Sequence, residues 1–89
     1  MARVSFTAHL RKVAPPGPID AGGETVRAVL TNLFATNPRL GGYVLDDQGR
    51  LRRHVAVFVD GDRLANGTAL EHPVAANSEI HVLQALSGG

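Results

Sequence analysis

One amphipathic helix restricts the fold of this chain more than any other feature of its sequence. Thr25 is a suitable N-cap and Asn37-Pro38 a suitable end, so the sequence predicts a helix over residues 25–36. Its apolar residues recur at i, i+3, i+4, i+7 and i+8, which places them on one helical face. They are Val26, Val29, Leu30, Leu33 and Phe34.

Four other segments have the character of β-strands. Residues 3–10 and 79–86 alternate between apolar and polar side chains, the pattern of a half-buried strand. Residues 54–59 are rich in β-branched side chains. Residues 19–21 form a short segment after the proline-rich turn at 14–18, and we expect them to return beside the first strand.

The region between the helix and the last strand is expected to contain hairpins and loops. Residues 43–45 and the chain from Leu51 onward flank a turn-rich stretch at 46–50, which suggests a hairpin. Residues 63–64 are expected to pair briefly after the third strand. Residues 71–78 contain Pro73 and predict a loop with at most one helical turn.

These elements predict an α+β fold. One main helix packed on one face of a mixed sheet of four to five strands would bury both apolar surfaces. We expect one domain over residues 1–86, followed by a flexible C-terminal Gly-Gly tail over residues 87–89.

Composition excludes several functional classes. The chain has no cysteine, which excludes disulfides, thiolate metal sites and a cysteine nucleophile. Its formal charge of +1 is too small to indicate nucleic acid or a membrane surface as a partner. No run approaches the roughly 18 apolar residues of a membrane span, and the N-terminus lacks the apolar run of a signal peptide. We therefore expect a cytoplasmic protein.

No catalytic or metal-binding pattern stands out. The four histidines match no ligand spacing, and we expect them to be surface residues. They are His9, His54, His72 and His81. No spacing of serine, histidine and aspartate or of paired carboxylates rises above chance in so short a chain. We predict no metal site, no bound cofactor and no catalytic residue.

Charged residues concentrate in the predicted hairpin. Arg50, Arg52 and Arg53 lie close in sequence to Asp46 and Asp47. The ordinary interpretation is a solvated hairpin of mixed charge. These side chains could also help to steer a partner.

The end of the chain carries the most informative chemistry. Gly88 and Gly89 follow the last predicted strand almost directly. Because glycine has no Cβ, such a tail can lie extended in a channel too narrow for any side chain. A carboxylate on Gly89 is inert until a partner enzyme adenylates it, after which it reacts with sulfur or amine nucleophiles. Glycine tails also occur at frayed termini, so the preceding strand and the order of elements carry much of this argument.

The order of elements and two C-terminal segments resemble ubiquitin and its β-grasp relatives. The segments are 80–83 (IHVL) and 86–89 (LSGG). Residues 49–61 resemble prokaryotic sulfur carriers of the MoaD/ThiS type, which include the molybdopterin synthase small subunit, the thiamine sulfur carrier and the carrier for cysteine synthesis. The resemblance covers residues 3–89, and it departs from the commonest family ending where Gln84 and Ala85 replace prolines.

The resemblance implies a carrier that partner enzymes act upon. A ubiquitin-activating-like adenylyltransferase would use ATP to adenylate Gly89, and a sulfur donor such as a sulfurtransferase would then leave a thiocarboxylate there. A biosynthetic enzyme making a cofactor, an amino acid or a secondary metabolite would accept the sulfur. Two alternatives stay open: a protein modifier conjugated to lysine through Gly89, and a β-grasp interaction domain whose tail is incidental.

Residue parity predicts a partner-binding surface on the outer face of the sheet. If the valines of the third strand and Ile80 and Val82 face the helix, their neighbours point outward. An outward patch centred on an aromatic residue usually marks a protein interface. A register error of one residue would reverse every face. The predicted surface comprises Phe58, His81, Leu83, Ala85 and Leu86.

Overall fold

The computed structural model describes residues 1–6 and 18–84 of the chain. These residues form five strands and two α-helices, with a 3₁₀ turn at Ala69–Glu71. The strands are β1 (Ala2–Phe6), β2 (Ile19–Ala21), β3 (Val55–Val59), β4 (Asp62–Arg63) and β5 (Glu79–Gln84). The helices are α1 (Val26–Thr36) and α2 (Pro38–Val44).

The strands form one mixed sheet in the order β2-β1-β5-β3-β4. β1 and β5 are parallel, and the other neighbouring pairs are antiparallel. The last strand in sequence therefore lies at the centre of the sheet, between the first and third strands. This arrangement confirms the predicted α+β class and β-grasp fold, with α1 as the main helix, and five is within the predicted four to five strands.

The helix α1 confirms the prediction made from its apolar spacing. The Thr25 side chain accepts a hydrogen bond from the backbone N–H of Ala28 at 3.2 Å, as an N-cap does. Asn37 is the C-cap, and its backbone N–H donates to the Phe34 carbonyl. Four of the five predicted apolar residues are buried, and Phe34 is partly buried against the core.

The second helix corrects the predicted hairpin. Tyr43 and Val44 were expected in a strand but lie in α2, so that part of the prediction is wrong. Pro38 stops α1 and at the same time begins α2, because proline suits the first helical turn, where its missing N–H is not needed. Leu40 and Val44 are four residues apart and both are buried. Only a single antiparallel bridge, Leu45 to Leu51, remains of the expected hairpin.

The boundaries of the other elements differ from the prediction by a few residues. β3 begins at Val55 instead of His54, and β4 covers Asp62–Arg63 instead of residues 63–64. The helical turn expected within residues 71–78 lies earlier, at Ala69–Glu71. Residues 7–10, most of the turn at 14–18, and the final residues of the last predicted strand lie outside the described residues.

The turn between β3 and β4 has the geometry of a type I′ hairpin. Asp60 has φ of 51° and Gly61 has φ of 91°, and this turn type needs positive φ at both central residues. Asp60 also joins β3 to β5, because its side chain accepts a hydrogen bond from the Glu79 N–H at 2.9 Å. The turn thus fixes the register of the sheet at one end.

The hydrophobic core lies between the sheet and the helices. Val4 from β1, Val57 from β3, and Ile80 and Val82 from β5 are completely buried there, opposite Leu30 of α1. Within residues 1–6 and 18–84, both helices fall short of the length and apolar character needed to cross a bilayer.

Candidate docking groove and basic cleft

The ladder between β3 and β5 brings three of the predicted surface residues together. Phe58 pairs in register with His81, and Ala56 pairs with Leu83. Their sequence neighbours Val57 and Val82 pair with each other on the core side. The parity prediction for these two strands is therefore confirmed, although its assignment to partner binding stays a prediction.

The outer face of β3 and β5 carries a shallow groove. Its volume is about 310 Å³, and Ser5 and Phe6 of β1 form one wall. Phe58 and Leu83 are half-buried in it, whereas His81 is exposed. Apart from His81, the side chains that line the groove carry no titratable group. Such a surface can bind an apolar segment of a partner protein. We call it the docking groove.

The remaining predicted site residues lie outside the described residues. Ala85, Leu86, Gly88 and Gly89 all belong to the last five positions of the sequence. What the structure shows is where the chain leaves the sheet. Gln84 ends β5 and pairs with Val55, the first residue of β3. β5 thus ends beside the start of β3.

A second concave region lies close to that point. It is a cleft of about 650 Å³ between the loop at residues 46–54 and the segment at residues 66–71. Four arginines and two carboxylates line it. Sequence reasoning noted three of these arginines as a solvated hairpin but did not connect them with α1. They are Arg50, Arg52 and Arg53, and the fourth is Arg27. We call this region the basic cleft.

Arg27 joins three parts of the fold at the basic cleft. Its guanidinium donates two hydrogen bonds to Glu71, at 3.1 and 2.9 Å, and a third to the Gly49 carbonyl at 3.1 Å. Gly49 adopts a positive φ of 77°, which glycine permits without strain. Arg27 therefore ties the loop at residues 46–54 to α1 and to the 3₁₀ turn. No sequence motif indicated this contact.

The loop at residues 46–54 is organised around Asp46. Its Oδ1 accepts hydrogen bonds from the backbone N–H groups of Gln48 and Arg50, at 2.9 and 3.0 Å. The bond from Arg50 is the main reason that the pKa of the Asp46 carboxyl lies below its usual value, and the Gln48 bond and the charges of Arg50 and Arg52 act in the same direction. Arg52 donates from Nε to the Gly42 carbonyl at 2.8 Å.

The described residues bring no metal site together. Among residues 1–6 and 18–84, no three histidine or carboxylate side chains approach one another as a metal would require. His54, His72 and His81 lie on the surface, and His9 lies outside the described residues.

Comparison with known protein families shows to which family the chain belongs. The sequence model of the ThiS family matches residues 4–89, nearly the whole chain. The chain belongs to the ThiS family. No curated protein sequence matches it.

Solved structures agree with this membership of the ThiS family. The chain is similar to SAMP1, small archaeal modifier protein 1, of Haloferax volcanii, with 30% identity and a TM-score of 0.80 over 99% of this chain and 98% of that one. It shares the fold of CysO of Mycobacterium tuberculosis (24% identity, TM-score 0.84, 97% and 100% coverage).

It also shares the fold of a chain in the BexX/CysO complex of Amycolatopsis orientalis, at 21% identity and a TM-score of 0.87 over the full length of both chains. The ThiS-family chain thus has the fold of ubiquitin-like sulfur carriers and modifiers.

Proposed function

We propose that this ThiS-family chain is a sulfur carrier whose reactive group is the carboxylate of Gly89. The observation that carries the proposal is the family match, which runs through residue 89 and so includes the Gly-Gly end. The fold is consistent with it, because β5 is held at the centre of the sheet and is followed by five residues up to Gly89. A rigid domain of this kind can present a short tail to another enzyme's active site.

The proposed chemistry takes place in two steps on the Gly89 carbonyl. A carboxylate oxygen attacks the α-phosphorus of ATP, and pyrophosphate leaves, which gives an acyl adenylate. A sulfur nucleophile from the donor protein then attacks the carbonyl carbon and displaces AMP. When that sulfur is the outer sulfur of a donor persulfide, the product is an acyl disulfide. A thiol then attacks the donor's sulfur, forms a disulfide with it, and releases the thiocarboxylate on Gly89. The chain supplies the reacting carboxylate, and its partners supply ATP, catalysis and sulfur.

The docking groove is the surface by which we propose that the partners hold this carrier. Phe58 of β3 and Leu83 of β5 offer an apolar contact close to the end of β5, the strand that the terminal segment follows. We propose that Ala85 and Leu86 extend this contact toward the tail. A contact here would align Gly88 and Gly89 with the partner's active site. The solved complex of CysO with BexX shows one ThiS-like chain with another protein.

We further propose a cytoplasmic location and no catalytic role for the chain itself. Small carriers of the ThiS and CysO kind are in general non-catalytic. The activation step consumes ATP, which the cytoplasm supplies. The three expected partners are the adenylyltransferase, a sulfur donor and a sulfur-accepting biosynthetic enzyme.

A second function is favoured by the similarity to small archaeal modifier protein 1. In that case the same acyl adenylate would react with a lysine amine of another protein, and an isopeptide bond would form in place of the thiocarboxylate. The two functions share the activation step and differ only in the nucleophile. The product distinguishes them.

The test is intact mass spectrometry of the purified chain after incubation with the activating enzyme, ATP and a sulfide source. We expect the mass gain of one oxygen replaced by sulfur, and no gain when Gly89 is deleted. Gly22→Ala is the matched control, because a Cβ at Gly22 would meet no atom within 4 Å. An unchanged mass of the wild-type chain contradicts the carrier function.

Two further results separate the alternatives. Attachment of the chain to lysines of other proteins, without thiocarboxylate, would support the modifier. Full complementation of the sulfur-requiring pathway by the chain lacking Gly89 would show that the tail is incidental and that the domain acts by binding alone.

A further inference from the structure

We infer that the basic cleft binds an acidic segment of the activating enzyme and thereby positions the tail of this chain. The inference rests on the proposed function, and it concerns a surface separate from the docking groove. It follows from the charge of the cleft, its place in the fold and the rigidity of its loop.

The charge of the cleft is concentrated, although the chain as a whole is nearly neutral. Four arginines line the cleft against the carboxylates of Asp46 and Glu71, while the whole chain carries a formal charge of +1. Glu71 is bound by Arg27 at 2.9 Å, and Asp46 lies 3.7 Å from Arg50. Both carboxylates are therefore engaged, and a positive excess is left over for an external anion.

Arg53 is the side chain most available for that anion. It is exposed, lines the cleft, and makes no hydrogen bond or ion pair with any other residue in the described part of the chain. Arg52, by contrast, is half-buried and bound to the Gly42 carbonyl. A guanidinium such as that of Arg53 can bind a carboxylate through two parallel hydrogen bonds.

The cleft lies beside the point where the terminal segment leaves the sheet. Arg53 and His54 immediately precede Val55, and Val55 pairs with Gln84, the last residue of β5. A protein that draws Gly89 into its active site must therefore pass close to Arg53. His54, Leu51 and Leu70 also line the cleft.

The loop that carries Arg53 is held in place before any partner arrives. Asp46 binds two backbone N–H groups of the loop, and Arg27 binds the Gly49 carbonyl. The loop is also anchored to α2, because the Arg52 N–H donates to the Val44 carbonyl at 3.0 Å. Because the backbone of this loop is already ordered, mainly the Arg53 side chain loses conformational entropy on binding, which favours a docking role.

The experiment compares two charge reversals in the adenylation assay, with pyrophosphate release as the readout. Arg53→Glu should raise the KM for the carrier by about tenfold at low salt, with kcat unchanged. Arg39→Glu is the matched control, because Arg39 is also exposed, changes the net charge equally and lies outside the cleft. It should change KM by about twofold or less. Arg53→Lys keeps the charge but loses the paired hydrogen bonds, so its KM should lie between those of the wild type and Arg53→Glu.

The possible outcomes distinguish failure of the cleft inference from failure of the proposed function. Equal KM values for Arg53→Glu and Arg39→Glu would overturn the inference that the basic cleft binds the activating enzyme. They would leave the proposed carrier function intact. A raised KM for ATP instead of for the carrier would mean that the cleft contacts nucleotide phosphate, and would also overturn it. A difference that persists in high salt would exclude an ionic contact. Failure of the wild-type chain to be adenylated would overturn the proposed function, and the cleft inference with it.

Discussion

Phe58 lies on β3 between two buried valines, yet its own side chain is only half-buried and lines the docking groove. We expect Phe58→Ser to weaken binding of the activating enzyme about tenfold or more, because an aromatic anchor of an apolar patch is lost. The free energy of unfolding should fall by only about 1 kcal/mol, since part of the ring already contacts water. Calorimetric titration and urea denaturation measure the two quantities.

The matched control for Phe58 is its neighbour Val57, which is completely buried on the other face of β3. Val57→Ser should cost about 3 kcal/mol of stability, because it leaves a cavity and buries a hydroxyl. If Phe58→Ser destabilises the domain as much as Val57→Ser, Phe58 is a core residue and the docking groove is misassigned. The parity of β3 made this distinction predictable from sequence, because alternate residues must face opposite sides.

At the scale of single elements, α1 depends on its N-cap. At the N-terminus of α1, Thr25 Oγ1 accepts a hydrogen bond from the Ala28 N–H. Thr25→Ala should therefore lower the free energy of unfolding by about 1 kcal/mol. Thr31→Ala is the matched control, because Thr31 is exposed within α1 and alanine is the better helix former. Urea denaturation midpoints that fall equally for both variants would contradict the capping role.

Elements whose signals are local were predictable, whereas those that depend on tertiary contacts were not. The stripe and cap of α1 lie within one segment, so the sequence located the helix to within a residue of its start. The short helix α2 has two glycines and only seven residues, and its stability comes from burying Leu40 and Val44 in the core. The Arg27–Glu71 ion pair spans 44 positions, and no sequence spacing indicates such a contact.

At the scale of the whole molecule, the order of strands in the sheet could not be predicted from local sequence patterns. Pairing of β1 with β5 joins the two ends of the chain, and only the family resemblance supplied that topology. The same resemblance supplied the chemistry of the tail. Residue patterns alone predicted a helix, several strands and an unusual end. Sulfur carrier, modifier and interaction domain became the alternatives only with the resemblance.

Because β5 is central to the sheet, the residues needed for stability and those needed for the proposed chemistry lie next to each other in sequence but can be removed separately. β5 pairs with β1 and β3 on its two sides, and Ile80 and Val82 are completely buried. A chain truncated after residue 77 should not fold, because both neighbouring strands lose their partner and the core loses its centre. A chain lacking residues 87–89 should instead unfold within about 2 °C of the full-length protein, because it keeps the whole sheet and core.

The shorter deletion should nevertheless abolish pyrophosphate release by the activating enzyme, since the Gly89 carboxylate that we propose attacks ATP is gone. Thermal unfolding followed by circular dichroism, beside the adenylation assay, measures both properties on the same samples. A large drop in the unfolding temperature on removal of residues 87–89 would show that the tail packs on the domain. In that case its loss of activity could follow from unfolding, and the separation of scaffold from reactive end would be wrong.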